Sequence, residues 1–133
     1  MEGNKVKIGF DYWQVLSHYP KECAYMLSAF ISEGAEVHVI SAVGGNHTAG
    51  SVIEAVTKLG YTFKPENIHT VVFDHPSQSP ELKVAKAKEL GLDIFFDDRD
   101  DVCRALNAAG IMACRVTRKD NSTYDLGAEK GRK

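Results

Sequence analysis

Only three cysteines occur in the 133-residue chain, Cys23, Cys103 and Cys114, an odd number without metal-type spacing. Their scarcity excludes a disulfide framework and reads as reduced, mostly buried thiols in a cytoplasmic protein. Long apolar runs are missing too. None approaches the roughly 20 residues of a membrane span, and the first residues lack a signal-peptide core, so no membrane contact is expected. Charge of one sign is equally scarce, with 16 Lys and Arg against 18 Asp and Glu and a formal net charge of −2. That balance gives no electrostatic case for nucleic acid or an acidic lipid surface. No repeat, low-complexity tract or linker divides the chain. Its length and its 44% hydrophobic content suit one domain with a real core.

What is present is a regular alternation of strand and helix. "KVKIGF" (5–10) reads as a short apolar strand. Residues 20–34 carry apolar side chains at helical spacing, begin with Pro20 and stop at Gly34. "AEVHVISA" (35–42) is a second strand, 48–60 a second helix and "IHTVVFD" (68–74) a third strand. In 79–91, Ser79 is placed to cap, Pro80 to open the helix and Gly91 to stop it. "LDIFFDD" (92–98), a helix over 100–110 and "IMACRV" (111–116) complete the pattern. The polar stretch 117–133 is expected to be a mobile tail or edge extension. Strands alternating with crossover helices imply an α/β fold with a five-stranded parallel sheet covered on both faces.

Ligands of such sheets bind outside the carboxyl ends of the strands. The predicted ends are Asp11, Ser41, Asp74 and the pair Asp97 and Asp98, with Asp100 and Asp101 close behind. One acidic strand end is ordinary, and Asp98 or Asp100 could merely cap the next helix. Several on one sheet edge would repel and raise one another's pKa values, a cost that a bound cation removes. Hard oxygen ligands with an open coordination sphere suit Mg²⁺ together with a substrate phosphate. Ser41 could donate to an anionic oxygen and Lys83 could neutralise one, with Lys86 as the reserve lysine.

In this order the residues resemble the haloacid dehalogenase (HAD) superfamily of aspartate-nucleophile phosphohydrolases. "IGFDYWQVL" is similar to the first motif, an apolar strand followed by Asp-x-Asp-Gly-x-x-Leu. "VHVISA" with Ser41 is similar to the second and Lys83 to the third. "IFFDDRDDVCRALNAAGI" matches the fourth, Asp97 and Asp101 standing at its Asp-x-x-x-Asp spacing and Asp98 making the double-aspartate variant. The resemblance covers roughly residues 5–116. It implies a three-layer Rossmann-like (HAD-like) core over 1–116 and a Mg²⁺-dependent phosphomonoester hydrolase. Asp11 would be the nucleophile, assisted by Ser41 and Lys83. The metal would be held by Asp11, Asp97 and the backbone carbonyl of Trp13, with Asp98 or Asp101 acting directly or through water. A response-regulator receiver uses similar residues but takes its phosphorylated Asp from a middle strand, which is not the order here.

The chain departs from the family at two neighbouring positions. Trp13 stands where the phosphatases carry a general acid–base, and an indole has no useful acid–base chemistry near neutral pH. Gln14 replaces the usual Gly. The alternative reading is therefore an impaired module that binds metal or a phosphorylated partner; a carbon–halogen hydrolase is a further option. Trp13 could instead be a packing residue or a stacking platform for an aromatic substrate. No cap domain fits in 17–35 or 75–82, so the open site suits a phosphate on a large or macromolecular partner, or cover from another subunit of a homo-oligomer. His18, His47 and His75 fall in loops on the same side and could meet substrate.

Overall fold

The computed structural model describes residues 5–45 and 49–119. His47 and residues 120–133 lie outside them. Five strands, β1 (Lys7–Phe10), β2 (Glu36–Gly44), β3 (Ile68–Phe73), β4 (Ile94–Asp97) and β5 (Met112–Arg115), form one sheet in the order β3-β2-β1-β4-β5. Every pairing is parallel. Four helices connect them: α1 (Pro20–Ser32), α2 (Ala49–Lys58), α3 (Ser79–Leu90) and α4 (Asp100–Ala108).

Alternation along the strands sorts two cores. On one face Ile8, Phe10, Val37 and Val39 meet Cys23 and Leu27 of α1 and Val52 and Val56 of α2. On the other, Ile40 and Phe95 meet Ala87 of α3 and Val102 and Leu106 of α4. The result is a three-layer, Rossmann-like α/β fold. Gly9 faces the second layer, where an added Cβ would lie 2.5 Å from the Phe95 ring; only glycine lets that aromatic close over β1.

The chain first winds outward from β1 through β2 to β3, with α1 and α2 on one face. It then returns across the sheet with α3 and α4 on the other, so the winding reverses between β1 and β4. A crevice opens at such a switch point, outside the carboxyl ends of the two strands. Asp11 leaves β1 there, its N–H donating to the Phe96 carbonyl at 2.9 Å.

Three local expectations change. β2 continues to Gly44, because its ladder with β3 runs on from Ser41↔Thr70 to Gly44↔Phe73; Ser41 is inside the strand rather than at its end. Gln78, not Ser79, precedes α3 as its N-cap, its side chain turning back to accept from the N–H groups of Asp74 (2.7 Å) and His75 (3.3 Å). The start of the supposed tail is tied down: the Tyr19 hydroxyl donates to the Thr117 carbonyl, and Lys119 lies over the Tyr19 ring at 4.7 Å.

Candidate active site

Lys83 is the centre of the crevice. Ser79, Lys83 and Ala87 form the buried stripe of α3, so a helical repeat of four aims the ammonium at the sheet. Its Nζ donates to Asp11 Oδ1 at 2.9 Å and to Asp97 Oδ2 at 2.7 Å, with only 3% of the residue exposed. Asp97 is wholly buried, and its second oxygen accepts from the Arg99 N–H at 2.9 Å. Asp98 pairs with the Arg118 guanidinium at 3.2 Å. Asp11, Asp97 and Asp98 each offer one oxygen within 4.8 Å of the others, and all three are buried.

Burial is the first cause of the electrostatics here. It raises the Asp11 carboxyl well above the usual range, the Asp97 and Asp98 charges add to that, and Lys83 offsets part of it. Burial and then the Asp97 charge also raise Asp98, against the pull of a hydrogen bond with Asp11 and of Lys83 and Arg118. For Lys83, burial alone would lower the ammonium; together Asp11 and Asp97 outweigh it and hold Lys83 above its ordinary value. The group is a desolvated cluster in which charge is held by mutual contact.

Asp101 does not join these three carboxylates. Arg99 takes it in a two-point grip, Nε to Oδ1 at 3.0 Å and Nη2 to Oδ2 at 2.7 Å, while Oδ1 also accepts from the Val102 N–H at 2.8 Å. Its visible work is to hold Arg99, whose guanidinium also reaches the Pro76 carbonyl at 3.3 Å.

Ser41 lies on the other face of the sheet. It shares that face with Val39 and Val43, while its neighbour Ala42 packs toward α3 and lines the Asp11 crevice. Asp74 is exposed, and Lys86 pairs on the surface with Glu89 at 3.1 Å. His75 is spent on local structure, accepting from the Ser77 N–H at 3.1 Å.

After Asp11 the chain makes a tight turn. Trp13 is extended (φ −72°, ψ 131°) and Gln14 is left-handed at φ 70°. This left-handed conformation is one that glycine adopts freely, and here a buried glutamine takes it, its Oε1 without a hydrogen-bond partner among the described residues. The turn leaves the Trp13 side chain 56% exposed, its ring 4.9 Å from that of His18 at an interplanar angle of 83°.

Two residues were not singled out from the sequence. Arg99 and Arg118, both largely buried, line the crevice of about 210 Å³ beside Asp11, Lys83 and Asp98. Arg99 could have been suspected inside "DDRDD". Nothing in the polar run after β5 marked Arg118. Neither a scan of protein-family models nor a search of curated proteins finds a match to this chain.

Proposed function

We propose that the chain is a phosphohydrolase of the haloacid dehalogenase type, acting on a phosphomonoester through Asp11. The observation that carries this reading is the buried contact of Lys83 with both Asp11 and Asp97 at the switch point of the sheet. A nucleophilic carboxylate needs a partner that fixes its direction and tolerates incoming negative charge. Lys83 is suited to both.

In this reading an Asp11 oxygen attacks phosphorus in line, and the bond from phosphorus to the ester oxygen breaks. Lys83 and the guanidiniums of Arg99 and Arg118 stabilise the equatorial oxygens. The leaving oxygen takes its proton from water, because Trp13 offers none. A water then attacks the aspartyl-phosphate, releases inorganic phosphate and restores Asp11. The three buried carboxylates, two of them with raised pKa, form a hard-oxygen donor set of the kind that suits Mg²⁺, and Asp11, Asp97 and Asp98 would hold it. Mg²⁺, when bound, supplies charge neutralisation at the phosphoryl oxygens. Asp101 would act through Arg99, and Ser41 is not part of this chemistry.

The test is phosphate release from p-nitrophenyl phosphate with Mg²⁺, compared with Asp11→Asn. Equal rates for the two proteins would sink the reading. The missing acid favours one alternative, a module that binds phosphate without turning it over, since losing a general acid–base costs about 10²–10⁴ in rate. Under that alternative a beryllium fluoride complex binds at Asp11 while no substrate releases phosphate. A large rate gain in Trp13→Asp would argue that only the proton donor is lacking.

A further inference from the structure

A second cleft, of about 500 Å³, opens beside the acidic crevice between the carboxyl end of β2 and α2. Trp13, Ala42 and Phe73 line both, so the two are neighbouring compartments of one depression. Their characters differ. The crevice holds Asp11, Lys83, Asp98 and two arginines, whereas Tyr12, Val43, Val52 and Ala55 join the shared aromatics in the second cleft. Its volume lies in the range of small-molecule pockets, which are mainly apolar with a few polar groups that set orientation. Ser41, buried at its wall, supplies one such group.

We propose that this cleft binds the aromatic group of a phosphorylated substrate whose phosphate occupies the crevice, an assignment that rests on the phosphoryl reading of Asp11. Three aromatic side chains, Tyr12, Trp13 and Phe73, offer ring faces and edges to a flat π-system. His18 meets the Trp13 ring nearly perpendicular, propping the indole without stacking on it. A polyol would bring hydroxyls against Val43, Ala55 and Phe73, where they would lose water without gaining partners. An aromatic group loses little there. The assignment also gives Ser41 a role: its hydroxyl serves the polar edge of the ring rather than the phosphate. Trp13 then takes the place of the absent acid–base as a specificity residue.

Trp13 is the single tryptophan of the chain, so its fluorescence reports on this cleft directly. With Mg²⁺ present, phenyl phosphate and adenosine 5′-monophosphate distinguish an isolated ring from a nucleobase. Either is expected to change the emission and to bind at least about tenfold more tightly than glycerol phosphate, the order of one stacking contact. By calorimetry, Trp13→Phe keeps this preference and Trp13→Ala loses it. Ala55→Leu, which fills the cleft from α2, also reduces it, and the Phe and Ala pair carries the test if that variant does not fold. Equal affinity for all three phosphates overturns the inference even where each of them is hydrolysed. Aromatic preference in a protein that releases no phosphate upholds the cleft and discards the hydrolase instead.

Discussion

On the α1–α2 side of the sheet, the Phe10 ring stacks on Phe96 at 5.1 Å and meets Phe63 at 6.1 Å and Phe30 at 6.3 Å. On the α3–α4 side, the same strands bury Lys83, Asp97 and His38. One face removes aromatic surface from water, which stabilises by about 25 cal/mol per Å² of apolar area. The other buries an apolar core too, but with it removes the Lys83 and Asp97 charges from water, which costs free energy unless each finds a partner. Both faces bury apolar side chains, and only the α3–α4 face spends part of the stability gained on holding charged groups out of water. Neighbouring residues at the end of β1 serve both purposes: Phe10, the last of the strand, points to the first face, and Asp11, just past it, belongs to the second.

The largest expected effect breaks the comparison at its chemical end. If Asp11 is the nucleophile proposed above, Asp11→Asn should lower phosphate release in the presence of Mg²⁺ by at least about 10³-fold, because the bond it forms is made in the transition state. Next come two variants of similar cost but different pH dependence. Phe10→Ala should destabilise by about 3–5 kcal/mol in chemical denaturation, with little change in pH profile. Lys83→Met should cost about 3–5 kcal/mol near neutral pH by leaving Asp11 and Asp97 buried without their cation. The Asp11 and Asp98 carboxyls are already raised, so in that variant the loss should be greatest at high pH and shrink as falling pH protonates them.

Smaller effects sharpen the same contrast. Gln14→Gly should stabilise by about 1 kcal/mol, because it relieves a left-handed residue and removes a buried unpartnered oxygen. The smallest concerns His69, 3.0 Å from His38, which in turn contacts Glu36 at 2.6 Å. Burial, then the nearby His38, lowers the His69 pKa in the folded chain, so the unfolded chain binds its proton first as pH falls. Stability should therefore decline as pH drops below about 6.5, the ordinary histidine value, and His69→Gln should flatten that slope in thermal melts.

The alternation of elements was legible because Gly34, Gly91 and the apolar spacing punctuate it, and each predicted helix and strand has a counterpart among the described residues. Asp11, Lys83, Asp97 and Asp98 were legible as a group because parallel topology brings strand ends to one edge. Ser41 was not, because β2 runs on to Gly44 and keeps Ser41 within the pleat, on the face of Val39 and Val43. Asp101 stood at a suggestive spacing, but its partner was decided by the nearer Arg99, a contact that spacing cannot encode. Arg118 was invisible for a simpler reason. A polar segment after the last strand carries no period, and only the fold brings it to Asp98.

The crossing of α3 over the sheet has a kinetic consequence. Lys83 and Asp11 are 72 positions apart in the chain, and β4 takes its place beside β1 through that crossing. β1, β2 and β3 can pair in sequence with α1 and α2, closing short loops first. The charged crevice needs α3 and β4 and should therefore assemble late, together with the stacking of Phe96 on Phe10. Substitutions at Phe10 should be read mainly in the folding rate, and substitutions at Lys83 mainly in the unfolding rate. On that order Asp11 should stay solvated until α3 and β4 arrive, so that the cost of burying it is met only together with its lysine.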